Sequence, residues 1–547
     1  MNALGNVPLK RNVFLKAASL VLSLGAALFP SAGCSTLKDV PTTHIVMVNG
    51  RGNPVDPTGN FWCRESPAFC SENKQDESHL WFLRYPEMPR KSPVAMPSDT
   101  AATPASYANY LTALLDNLLE KAPKDEHGKR RILMFFHGGL NTQTGTVERA
   151  VKLQEAIARE GYYPVFINWQ SSLFSSYGDH LVNVRQGESW DNWGWILTPF
   201  YFAGDVARAV ARAPVVWYFQ LRNDVENHKW ITTKEQREAN HIAAELAREY
   251  TAKSGKPAIA ISYAPEDDRG NWEQAAAAFT GLITIPTKAV TSMVIDAFGK
   301  SAWDIMLRRT QMLYHTGREF LRSDEVAADY LGDKKRTSHI KPDGGLSVFL
   351  RGLQKTIDDP KHGGKDKWEI TLVGHSMGTI VLNQMIRDFG DLPFNNIVYM
   401  AAATTVGDYE KTVFPYLKNK EKARMYHLTL HQKAEVYERV DTPIPFTSVT
   451  IPYFDIPPRG SLLVWIDDYL SNPETPLDRT VGRFDNLIVA AHDTPDDLRS
   501  QISIKAFGVG NDRKEPQKHG DFTDGFVFWK PACWSTNETY PADCYRP

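Results

Sequence analysis

The chain has 547 residues, of which 42% are hydrophobic and 23% charged, and its formal net charge is −2. This is an ordinary globular composition with material for a large core, and it gives no basis for nucleic-acid binding. The length allows either several domains or one catalytic domain with large insertions.

In chain order the first feature is a targeting segment. Lys10, Arg11 and Lys16 make a basic start, and the apolar stretch Ala17 to Phe29 follows. That stretch is too short, and too close to a cleavage-like site, for an ordinary spanning helix. It ends in Ser31-Ala32-Gly33-Cys34, which resembles the lipobox of bacterial lipoproteins, with Ser31 where leucine is usual. The resemblance implies a signal peptide over 1–33, lipidation of Cys34 and a tether over 34–43. Ser35 after the cysteine favours the outer membrane, and several acyl chains on one residue suffice for stable anchoring. Cys63, Cys70, Cys533 and Cys544 form two local pairs near the ends of the mature chain. In an oxidising compartment Cys63–Cys70 and Cys533–Cys544 would close short loops. Neither pair has the C-x-x-C spacing of a zinc site, and no metal or other cofactor is expected.

Strand-like segments follow at His44 to Val48 and His79 to Arg84, and an amphipathic helix at Tyr107 to Lys121. The apolar run Ile132 to Phe136 ends in His137-Gly138-Gly139. A helix over Thr146 to Glu160 and a strand over Tyr163 to Trp169 come next, an order that suits a parallel sheet with crossover helices. Residues 188–350 break this rhythm. They are rich in tryptophan and helical stretches such as Val206 to Gln220 and Lys234 to Lys253, with one short strand at Ala258 to Ser262. Trp272 to Leu307 holds an apolar, small-residue section too broken by Gly, Pro and polar residues for a membrane span. We read them as a helical insertion, or cap, between two parts of one α/β domain, 44–187 and 351–547. The sheet rhythm resumes with strands at Trp368 to Val373, Asn396 to Ala402, Met425 to Leu430 and Ile502 to Phe507.

The segment WEITLVGHSMGTIVLNQMI carries the most specific signal. Gly374-His375-Ser376-Met377-Gly378 spells G-x-S-x-G between a buried strand and a segment of helical spacing. Such a turn forces the serine into a sharp elbow where its hydroxyl reaches substrate, and the flanking glycines leave it room. A serine hydroxyl needs a base, an acid behind the base and donors for the oxyanion. The histidines after Ser376 are His427, His431, His492 and His519. His519, in a polar loop after the last strand, is the expected base, and His492 is its rival. Glu435 is the expected acid, with Glu438, Asp441 and Asp408 as alternatives. The oxyanion donors are the N–H of Met377 and that of Gly139 or Leu140.

FFHGGLN, LVGHSMGTIVL and a late HGDF resemble the α/β-hydrolase superfamily, and more narrowly a group of bacterial α/β-hydrolase-like lipoproteins. The resemblance covers about 125–185 and 365–530 and leaves out the insertion. It implies a mostly parallel central sheet flanked by helices. It also implies no metal cofactor, and cleavage of an ester or related acyl bond through an acyl-enzyme. The aromatic insertion suggests an acyl or lipid-like substrate. Ester and amide are not separated by any sequence feature. A non-catalytic envelope protein that uses the same fold for binding remains the alternative.

Overall fold

The computed structural model describes residues 42–48, 52, 104–182, 184–185, 188–189, 194–226, 234–255, 259–261, 271–315, 344–438, 442–443, 450–451, 457–508, 515–534 and 543–545. The strand expected at 79–84 and the residues Cys34, Cys63, Cys70 and Asp441 lie outside them.

Eight strands make one sheet: β1 (Ile45–Val48), β2 (Arg130–Phe136), β3 (Tyr163–Trp169), β4 (Ile259–Ile261), β5 (Trp368–His375), β6 (Phe394–Met400), β7 (Arg424–Leu430) and β8 (Ile502–Phe507). Their spatial order is β1-β3-β2-β5-β6-β7-β8-β4, and every neighbouring pair is parallel. The central strand explains itself by composition. Seven of the eight residues of β5 are buried, as expected for a strand covered on both faces. The eighth, Glu369, pairs with Arg131 of β2 at 3.5 Å.

Helices cover the sheet. They include α1 (Pro104–Lys121), α2 (Gln143–Arg159) and α3 (Leu173–Val182). The middle of the chain supplies α4 (Gly194–Glu226), α5 (Lys234–Ser254), α6 (Asn271–Met312) and α7 (Gly345–Asp358). After β5 come α8 (Gly378–Phe389), α9 (Val406–Asn419), the short turn α10 (Gln432–Tyr437) and α11 (Phe484–His492). Helix α8 buries Val381, Leu382, Met385, Ile386 and Phe389, a stripe at the helical repeat that seats it on the sheet. Thr142 starts α2 by accepting the Gly145 N–H on its side chain. Helix α4 continues through Pro199 and Pro214, and α6 through Pro286.

The stretch 271–312, which holds glycine and proline in sequence, is one helix packed on α3 and α4. The short strand within the insertion is β4, and it joins the main sheet, with Ile259 opposite Ile504 of β8.

Strand order marks one place in the sheet. From β2 the chain steps to β3 on one side, and from β5 it steps to β6 on the other. Open parallel sheets bind ligands in the crevice at such a reversal, outside the carboxyl ends of the strands. The ends of β2 and β5 are His137-Gly138-Gly139 and the Ser376 turn.

Candidate active site

Ser376 follows β5 directly and has φ 51°, in the left-handed region that a serine rarely occupies. Hydrogen bonds on both sides hold it there. Its N–H donates to Met400 O (2.9 Å), and its carbonyl accepts from Thr379 N (3.0 Å), Ala403 N (3.1 Å) and Thr379 Oγ1 (2.7 Å). The turn works because Gly378 lies against the end of β2. A Cβ there would fall 2.3 Å from Phe136 O and 2.7 Å from His137 O. The Ser376 Oγ is buried and has no hydrogen-bond partner among the described residues.

The loop after β2 stands beside this serine. A Cβ on Gly138 would lie 2.8 Å from His375 Nδ1 and 3.1 Å from Ser376 Cβ, so only glycine admits this approach. His137 is a structural member of the loop. It stacks on Trp169 (3.8 Å), its Nδ1 bonds Gly138 O (2.7 Å), and Trp169 N–H donates to its Nε2 (3.2 Å). Asn141 Nδ2 adds bonds to Gly138 O (2.8 Å) and Gly139 O (3.1 Å). Because the peptide is trans, fixing the Gly138 carbonyl on one side turns the Gly139 N–H to the other. Leu140 N–H is committed to Ser171 O (2.8 Å), which removes it as an oxyanion donor. Neither Gly139 nor Met377 N–H donates to a backbone acceptor among the described residues. Met306 of α6 also meets this loop, its Cε 2.9 Å from where a Gly139 Cβ would stand.

His519 lies in the loop after β8, and the turn bearing Glu435 and Glu438 follows the adjacent strand β7. The structure brings His519 to the elbow through His375. His375 Nε2 donates to His519 O (3.0 Å), and the two rings are 4.9 Å apart. The His519 N–H donates to Glu438 Oε2 (2.8 Å). Glu435, one turn earlier on the same face, accepts the Ser461 hydroxyl on Oε2, while its Oε1 has no partner among the described residues. Both ring nitrogens of His519 are likewise buried without a partner among them. The serine–histidine and histidine–acid hydrogen bonds are therefore not made in this arrangement. The unmatched atoms are those that such a relay would join.

The rivals are placed elsewhere. The His492 side chain, at the end of α11, is 69% exposed and pairs with Asp493. Asp408 is locked by Asn383 (2.7 Å), Thr404 (2.9 Å) and Arg387. His427 is buried between Tyr399 and Tyr409, and His431 caps α10. Cys533 and Cys544 form a disulfide. Among the described residues, no group of three or more His, Cys, Asp or Glu is arranged to hold a metal ion. Ser461, Asn141 and the Glu438–His519 bond had no signal in the sequence, except that Asn141 closes the FFHGGLN motif.

Burial sets the charges. It pushes His519 down to about 4, His431 to about 4, and His137 and His427 to about 3. His375 is also held well below its usual value, first by burial and then by His519. Burial pushes Glu435 up to about 8 and Glu438 up to about 7. The unfolded chain takes up protons on these histidines below about pH 6.5 and the native chain does not, so stability is lost as pH falls from there toward 4. The glutamates act oppositely, because their neutral forms are favoured in the native state and stability is lost as pH rises through 7 to 8. Thermal unfolding followed from pH 5 to 9 should give its highest Tm near neutrality, about pH 6.5 to 7. A Tm rising steadily to pH 9 would contradict neutral buried glutamates.

No family model, curated protein or solved structure matches this chain, so the reading of the site rests on its own geometry.

Proposed function

We propose that this protein is a serine hydrolase of the α/β-hydrolase type that cleaves an acyl ester through an acyl-enzyme. The observation that carries the reading is Ser376, held at φ 51° at the carboxyl end of β5, where the strand order reverses. Ser376 Oγ attacks the carbonyl carbon while His519 takes its proton. The tetrahedral oxyanion is met by the N–H groups of Met377 and Gly139. His519 then returns the proton to the leaving alcohol, and water repeats the sequence to release the acid. Glu435 orients the imidazole and stabilises its charged form, while Glu438 holds the His519 backbone. A hydrogen bond between His519 and Glu435 would reverse the two shifts, since each charge favours the other.

The basic, apolar leader and the lipobox-like Cys34 support a lipid-anchored position on the bacterial envelope, at the outer membrane, and an acyl or lipid-like ester would suit a hydrolase there. One observation favours a second reading: Ser376 Oγ and the His519 ring are not hydrogen-bonded to each other. That would suit a binding module retaining the hydrolase fold. A fluorophosphonate probe decides between them. Adduct on the peptide containing Ser376, absent in Ser376→Ala, is the expected result. A folded wild-type chain that takes no label would sink the hydrolase reading.

A further inference from the structure

Helix α4 is inside out. Between Pro199 and Leu221 its exposed positions are 199, 200, 203, 204, 207, 210, 211, 214, 215, 217, 218 and 221. All of them are Pro, Phe, Ala, Gly, Val, Trp, Tyr or Leu, and none is charged. Phe200 is 74% exposed, Tyr218 63% and Val210 55%. On the neighbouring α6, Val290 continues the patch at 56%. A helix facing water carries its charges on that side and its apolar stripe toward the core.

The polar residues of α4 point inward instead. Asp205 meets Arg208 (3.2 Å), His180 (3.1 Å) and Ser301 (3.0 Å). Arg212 reaches the fully buried Asp296 of α6 (3.3 Å). Farther along, Asp224 pairs with the fully buried Lys288 of α6 (2.8 Å), and Asn223 bonds Asp468 (3.0 Å). Ion pairs are sequestered between the helices while the outer face is bare hydrocarbon and aromatic rings.

We propose that this face of α4 and α6 docks on a lipid bilayer, lying in the plane of the interface. Three features select lipid over a protein partner. First, the exposed positions of the face carry no charge to complement, as a hydrocarbon phase requires and as the ion pairs turned inward between α4 and α6 allow. Second, a protein interface needs a polar rim and roughly one hydrogen bond per 100–200 Å². Among the exposed positions of α4 the side-chain hydrogen-bonding groups are the Tyr218 hydroxyl and the Trp217 N–H, which is already given to Ala289 O (3.0 Å), and on α6 the exposed Thr287 beside Val290 adds one more hydroxyl. Third, the exposed face carries Phe200, Trp217 and Tyr218, the aromatic residues that an in-plane helix seats at the boundary of headgroup and acyl chain. Among the described residues no helix is long and apolar enough to cross a membrane. A strip of roughly 33 Å, at about 1.5 Å per residue, laid flat with its side chains in the acyl boundary fits that condition.

This inference stands apart from the catalytic reading, because no residue of the strip belongs to the Ser376 site. The test uses the full chain in phosphatidylethanolamine–phosphatidylglycerol vesicles. The photoreactive residue p-benzoylphenylalanine replaces Phe200, Tyr218 or, as a control, the exposed Lys418 of α9. Lipid adducts at 200 and 218, at least fivefold above those at 418, are expected. Adducts to a second copy at 200 and 218, equal lipid labelling at 418, or no lipid adduct at any of the three would overturn the proposal. Fluorophosphonate labelling of the same samples reports the serine separately, so loss of one result leaves the other readable.

Discussion

His519→Ala is expected to lower hydrolysis of a short nitrophenyl ester by roughly 10^4-fold, mostly in kcat, while His492→Ala leaves it within about twofold. The contrast follows from placement. His519 is buried beside the elbow with both ring nitrogens unmatched, whereas His492 is a solvated helix terminus. Without the base, the serine proton has no acceptor, and what persists is the contribution of the oxyanion donors and substrate binding. The acid separates by the same assay. Glu435→Gln should cost roughly 10^2-fold or more, because the carboxylate that stabilises the imidazolium is gone. Both variants keep side-chain volume or sit in a loop, so the unfolding temperature of each should be recorded alongside. Loss of activity in His492→Ala with retention in His519→Ala would reject the assignment of the base.

Gly378→Ala is expected to fail at folding rather than at chemistry. Its methyl would stand 2.3 Å from Phe136 O and 2.7 Å from His137 O, both backbone atoms of the neighbouring strand and loop. A flexible side chain could move aside, but β2 cannot, because it is paired along its length with β5 and β3. The clash therefore drives the elbow away from the glycine loop, and a cost of roughly 3–5 kcal/mol follows. That is a large part of the stability of a typical domain. The measurement is chemical denaturation, with Gly204→Ala of α4 as a tolerated control, since nothing lies within 4 Å of a Cβ placed there. A Gly378→Ala chain as stable as wild type would show that the turn does not press on β2 as described.

Much of this is legible in the amino-acid sequence, and the reason is local. The Ser376 elbow, the glycine loop and the strands Tyr163 to Trp169 and Ile502 to Phe507 are each written within a few consecutive residues. What was not legible depends on distant partners. Ser461 reaches Glu435 across 26 residues, and Glu438 takes the His519 N–H across 81. No periodicity announces either bond. The strand at 259–261 was visible as a strand, but only the fold shows that it pairs with β8. Helix α4 is a different case. An amphipathic pattern states that a helix has two faces, and it is silent on which medium each face meets. The burial of Asp205 and the exposure of Phe200 reverse the usual reading, and only the packing of α3, α4 and α6 reveals it.

The edge strand β4 also limits how this protein can be rebuilt. Because Ile259–Ile261 is contributed from the middle of the long excursion between β3 and β5, that excursion is not a detachable module. Excising it whole would strip the last rung from the sheet and leave the unpaired side of β8, six residues long, open to pairing with other chains. A chimera that trades this region for a foreign insertion therefore inherits a self-association problem unless it carries its own three-residue clasp for that edge.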